Sequence, residues 1–148
     1  MNKLTLAILA LLIAVSPCTA TQTKNGGERA LELLLHAEQV DDAAVGVAGS
    51  RSERYDAFVE LWNEGDSVRE SIDRLIEKGT PAGRIYGLLL LRNLDSDAAA
   101  RTARDLKGGG GEVNVLQGCL MMKHPFAELA ELIASGGHVI TPPVLIVR

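Results

Sequence analysis

The sequence predicts an all-α fold: a short solenoid-like stack or irregular bundle of about six helices, preceded by a signal peptide. Three observations carry that expectation. Only 3% of the residues are aromatic while 47% are apolar, so the core must be built from Leu, Ala, Val and Ile, which favours helices over an aromatic-rich sandwich or barrel. Apolar residues recur at helical spacing in successive segments between residues 28 and 137. Between two of these segments stand Gly79, Thr80 and Pro81, a left-handed helix stop, a cap and a first-turn residue. A chain of 148 residues is one domain's worth and long enough to bury a core.

The N-terminus sets the expected compartment. Lys3 gives a short basic region, residues 4–15 are uncharged and apolar, and Ser16, Pro17, Cys18, Thr19 and Ala20 form a breaker and small-residue site. That is the layout of a secretory signal peptide spanning residues 1–20, cut after Ala20. It makes the protein exported, either periplasmic or secreted. The alternative is a lipoprotein anchored through Cys18, although Pro17 stands where such sites carry a small residue. Membrane attachment is expected only in that case. Either route leaves Cys119 as the sole free thiol of the mature chain, Cys18 being removed or lipidated, so no intramolecular disulfide is expected. Removing Lys3 leaves 14 Lys and Arg against 19 Asp and Glu, a net charge of −5. This balance argues against nucleic acid as a partner.

In chain order, residues 21–27 are polar and Gly-rich, as expected of a flexible leader. Residues 28–40 read as a helix ended by Asp41 and Asp42. Residues 43–52 read as a loop, with a short strand around Val45 and Val47 as the lesser option. Helical spacing returns over 53–64, where Tyr55, Phe58 and Trp62 cluster, and Gly65 stops it, with Asp66 or Ser67 capping the next helix. That helix, residues 68–78, is amphipathic. Residues 81–94 are apolar nearly all round, as expected of the most buried helix. Asp95 opens an Ala-rich helix to Leu106, and the glycines at 108–111 form a flexible break. Residues 113–123 fit a helical face through Val115, Cys119 and Met122, with a strand as the alternative. His124 and Pro125 start a last helix, stopped by Gly136 and Gly137. Residues 138–148 read as an extended tail, because Pro142 and Pro143 exclude helix. The helical domain is therefore expected over 28–137.

A shift of 31 residues aligns Tyr55 with Tyr86, Asp66 with Asp97 and Leu75 with Leu106. A third register would place Cys119, Leu120 and Met121 on the same core face. Over residues 53–135 the chain thus resembles short HEAT-like helical-repeat proteins, in which each helix pair buries its face on the next. The runs Val45-Gly46-Val47-Ala48-Gly49 and Gly83-Arg84-Ile85-Tyr86, followed by Gly118-Cys119, also resemble small exported bacterial proteins of unassigned function. That resemblance implies no activity.

The residues that carry chemistry are few. His36, His124 and His138 do not share metal-ligand spacing on one helix, so no metal is expected. Cys119, among Leu116, Leu120 and Met121, reads as a core thiol, the alternative being a nucleophile paired with a histidine. The run at 108–111 is followed by Glu112 and lacks the Lys of a phosphate loop. Asp41, Asp42 and the carboxylates of 64–77 read as caps or solvated faces. Arg84, on an otherwise apolar helix, needs either a carboxylate such as Glu77 or Asp73, or a partner; Arg84 and Tyr86 are the candidate contact residues. No catalytic set and no cofactor site is legible. The expected function is an exported binding or scaffolding module engaging a protein partner in the cell envelope. The alternatives are an exported hydrolase or transferase using Cys119, His124 or Arg84, and a lipid-anchored assembly factor.

Overall fold

A computed structural model describes residues 20–143. The signal-peptide and Cys18 readings, and the last five residues of the tail, lie outside the described residues. The element order is α1 (Ala20–Leu35), β1 (Gln39–Val45), α2 (Glu53–Trp62), a 3₁₀ turn (Gly65–Val68), α3 (Arg69–Lys78), α4 (Pro81–Leu94), α5 (Ser96–Leu106), β2 (Glu112–Gly118), β3 (Leu120–Pro125) and α6 (Phe126–Ala134). The chain is therefore not all-α. Among the described residues, six α-helices accompany a three-stranded mixed sheet in the order β1-β2-β3.

Most helices form where local chemistry places them. The Ser52 side chain accepts from Tyr55 N–H at the start of α2, and Asp95 accepts from Ala98 N–H at the start of α5. Each satisfies one of the donors that a helix N-terminus leaves free. The start of α3 differs from expectation: neither Asp66 nor Ser67 caps it, because the 3₁₀ turn leads straight into the helix from Val68. Residues 21–27, expected as a flexible leader, belong to α1.

Helix α4 is the centre of the molecule. It packs against α1, α2, α3, α5, α6, β1 and β2, and Ile85, Tyr86 and Leu88 on it are wholly buried. Glycine lets it come this close. A Cβ on Gly83 would stand 2.5 Å from the Leu34 carbonyl oxygen of α1, and one on Gly87 3.0 Å from Leu75 Cβ of α3. Gly79 was expected in a left-handed conformation but is extended, with φ −68°. Its need for glycine is steric, since a Cβ there would meet the Leu75 carbonyl oxygen at 2.4 Å.

Thr80 does two jobs at this junction. Its hydroxyl accepts from Gly83 N–H and donates to the Ala37 carbonyl, while its N–H donates to the Leu35 carbonyl. These bonds occupy carbonyls at the end of α1, so α1 stops at Leu35 and does not run on to residue 40. The chain then enters β1, where Asp41 and Asp42 are strand residues and not a helix terminus.

The second correction lies at residues 113–123. They form a β-hairpin, not a helix: β2 and β3 pair antiparallel from Glu112↔Pro125 to Gln117↔Leu120. Gly118 and Cys119 are the two-residue loop. Gly118 has φ +56° and, among the described residues, no non-glycine residue is left-handed, as in a type II′ turn with glycine at its first central position. β1 joins β2 in parallel register, Gln39↔Asn114 through Asp41↔Leu116, before an irregularity that carries it to Val45↔Gly118. Val40, Val113 and Val115 face the core.

One smaller expectation also changes. Gly110 is no open hinge: a Cβ there would fall within the Phe126 ring. The tail packs onto the body, with Val139 and Ile140 each 3% exposed. No helix among the described residues is long and apolar enough to cross a membrane.

Candidate functional site

The edge of β1 is held by a buried polar junction. The Asp41 side chain is fully buried. Its carboxylate accepts from Arg54 Nε of α2 at 2.9 Å and from Gln39 Nε2 at 2.6 Å. Its backbone N–H donates to the Tyr86 hydroxyl of α4 at 2.8 Å. Three elements thus meet at one residue, and the desolvation of its carboxylate is offset by one charged and one neutral donor. Tyr86 also completes the aromatic cluster, its ring centroid 5.4 Å from that of Phe58, which in turn stands 5.4 Å from Trp62. Burial pushes the Tyr86 hydroxyl well above the ordinary phenol value; the Asp41 N–H bond opposes this and the Asp41 charge adds to it.

This junction anchors one end of the sheet, where the apolar surface is exposed. The Gly46 N–H donates to the Gly118 carbonyl, and Val45 N–H to Ser50 O, at 2.9 Å each. These bonds bring the β1–α2 loop beside the hairpin turn. There Val47 is 99% exposed, Leu120 68% and Met121 50%, with Cys119 also exposed between the strands. Met121 pairs with Leu116 on the outer face. β3 is an edge strand. Lys123 and Pro125 guard its far half, as edge strands commonly are guarded, whereas the half next to the turn carries only Leu120, Met121 and Met122.

The residues singled out from sequence are dispersed. Tyr86 is fully buried and presents nothing to a partner. Arg84 is half-buried; among the described residues it has no ion pair with Glu77 or Asp73, and its Nε is buried without an acceptor. Cys119, expected in the core, sits at the hairpin tip, and Leu120 and Met121 are exposed with it. His124 lies five residues along β3 from Cys119, roughly 17 Å at strand rise, and is 3.5 Å from Glu128. His36 lies beside Glu32 on the surface, and His138 against Arg92. Among the described residues no group of three His, Cys, Asp or Glu is placed to hold a metal ion. Sequence reading missed the buried role of Asp41, its pairing with Arg54, and the exposed sheet end. A Gly at the first position of a two-residue gap between apolar runs was the signal for the hairpin; nothing local marked Asp41. Comparison with known proteins finds no matching family model, no matching curated protein and no matching solved structure.

Proposed function

We propose that the protein is an exported binding module of the cell envelope, engaging a protein partner through the exposed end of its sheet. The observation that supports this reading is the grouping of Val47, Leu120 and Met121 beside an edge strand left unguarded at that end. Leu120 and Met121 project to opposite faces of β3, so exposed apolar side chains flank an open strand edge, which offers backbone groups for pairing with a partner segment. The export half of the reading rests on the N-terminal pattern alone.

Cys119 supplies a direct test. A photo-crosslinker attached to its thiol should capture a defined partner from envelope extract, with the crosslink mapping to residues 116–121. Leu120→Glu and Met121→Glu should abolish capture while leaving the thermal midpoint within a few degrees. Equal capture by the glutamate variants would sink the proposal.

A further inference from the structure

The hydrogen bond from Phe126 N–H to the Gly111 carbonyl, 2.8 Å, sets the phase of the β2–β3 ladder. Positions 111 and 126 stand opposite each other in the same register as Gln117↔Leu120, and in an antiparallel ladder every second pair is bonded. Leu120, Met122 and His124 therefore turn their main-chain groups to β2, while Met121 and Lys123 turn theirs outward. Pro125, next in that outward row, has no N–H. Among the described residues no strand lies beyond β3. The sheet's other edge is already engaged, since Asp41 N–H on β1 donates to the Tyr86 hydroxyl. Open main-chain groups are thus confined to a short row, with a proline at one end and the hairpin turn at the other.

That row is complementary to itself. Laid antiparallel about a two-fold axis through Met122, Met121 of each copy comes opposite Lys123 of the other, and both pairs exchange N–H···O bonds in each direction. An axis through Lys123 would instead oppose the two lysines and set Met121 against Pro125. One through Met121 would set Lys123 against Cys119 of the turn. In the register centred on Met122, each Lys123 ammonium is answered within its own hairpin by Glu112, 3.5 Å away, and like charges do not face each other. Met122 meets Met122 across the axis, and Leu120 comes over His124. These side chains share the face of Val113 and Val115, which are buried, so the pairing covers Leu120, 68% exposed, beside the core-facing side of both sheets. We propose that the occupant of this edge is a second copy of the chain, bound through β3 about that axis. The proposal rests on the reading of the edge as a docking surface and names what docks there. The paired segment, residues 120–124, is shorter than permanent dimers use, so association is weak and concentration-dependent.

Disulfide trapping tests the register. Met122→Cys and Met121→Cys, each in a Cys119→Ser chain, are oxidised under mild conditions and scored for covalent dimer. Across the axis, residue 122 forms the close, non-bonded kind of pair with Cα atoms about 4.5 Å apart, within disulfide reach. The two copies of residue 121 lie on a diagonal roughly 7–8 Å long. Met122→Cys should therefore link at least about tenfold faster than Met121→Cys. Random collision gives the reverse order, because Met121 is the more exposed of the two; equal or reversed rates overturn the proposal. Met121→Pro removes an outward N–H that the hairpin itself does not use, and should weaken self-association in sedimentation equilibrium by about tenfold or more. If that variant does not fold, the linking rates decide. A chain that stays monomeric at millimolar concentration while Cys119 still captures an envelope protein overturns the second-copy assignment and leaves the docking reading standing.

Discussion

Because the Asp41 carboxylate is fully buried while Arg54 keeps 31% of its side chain in solvent, removing one or the other leaves very different remainders. Without Arg54, an uncompensated charge stays inside the protein; without Asp41, the guanidinium turns to water. Arg54→Met should therefore cost about 3–5 kcal/mol, and Asp41→Asn about 1–3 kcal/mol. Urea midpoints would order the two, and the reverse order would mean that the junction is wetter than its burial implies. The tyrosines extend the argument to pH. Burial raises both Tyr55 and Tyr86 above the ordinary phenol value; Arg51 opposes the shift at Tyr55 and Asp42 adds to it. The unfolded chain loses these protons near pH 10, while the folded chain still holds them. Above that point the native state binds more protons than the unfolded one, so this contribution is complete below about pH 10 and lost as pH rises. Denaturation at pH 8 and at pH 11 should show the fall, and Tyr86→Phe should reduce it.

At the scale of elements, the hairpin makes the sharpest departure from what the residues suggest. Its tip places Cys119 in solvent, so iodoacetamide should label the folded protein nearly as fast as the denatured one. Slow labelling would restore a buried thiol. Gly118 carries the turn, and any side chain there must take a left-handed conformation at a cost of about 1–2 kcal/mol. Gly118→Val should accordingly lower the thermal midpoint, whereas substitutions at neighbouring Leu120 should stay within about 0.5 kcal/mol. Helices α2, α4 and α5 were legible in the residues, because their caps and stops are written within a few positions of each end, and α6 was legible from its apolar spacing and the glycines that stop it. The strands were not. Val113, Val115 and Met122 suit one face of a helix as well as one face of a strand, and only the pairing decides between them.

For the whole molecule, α4 bears on every other helix. Leu89, 6% exposed, is surrounded by neighbours that cannot all collapse into a void, so Leu89→Ala should cost about 2–5 kcal/mol by chemical denaturation. A cost near zero would mean that the molecule is organised around some other element. The sequence by itself determined the caps at Thr80 and Asp95, the central place of residues 81–94 and the acidic balance of the chain, since each follows from neighbours along the chain or from composition. Tertiary structure alone decided the rest. It ended α1 at Leu35 by giving its carbonyls to Thr80, and it paired β1 with β2 across four intervening helices. It also buried Asp41 beneath Arg54 and Tyr86, and laid residues 138–143 over the aromatic cluster. In each case the deciding partner lies far away in sequence, where no local periodicity or cap can announce it.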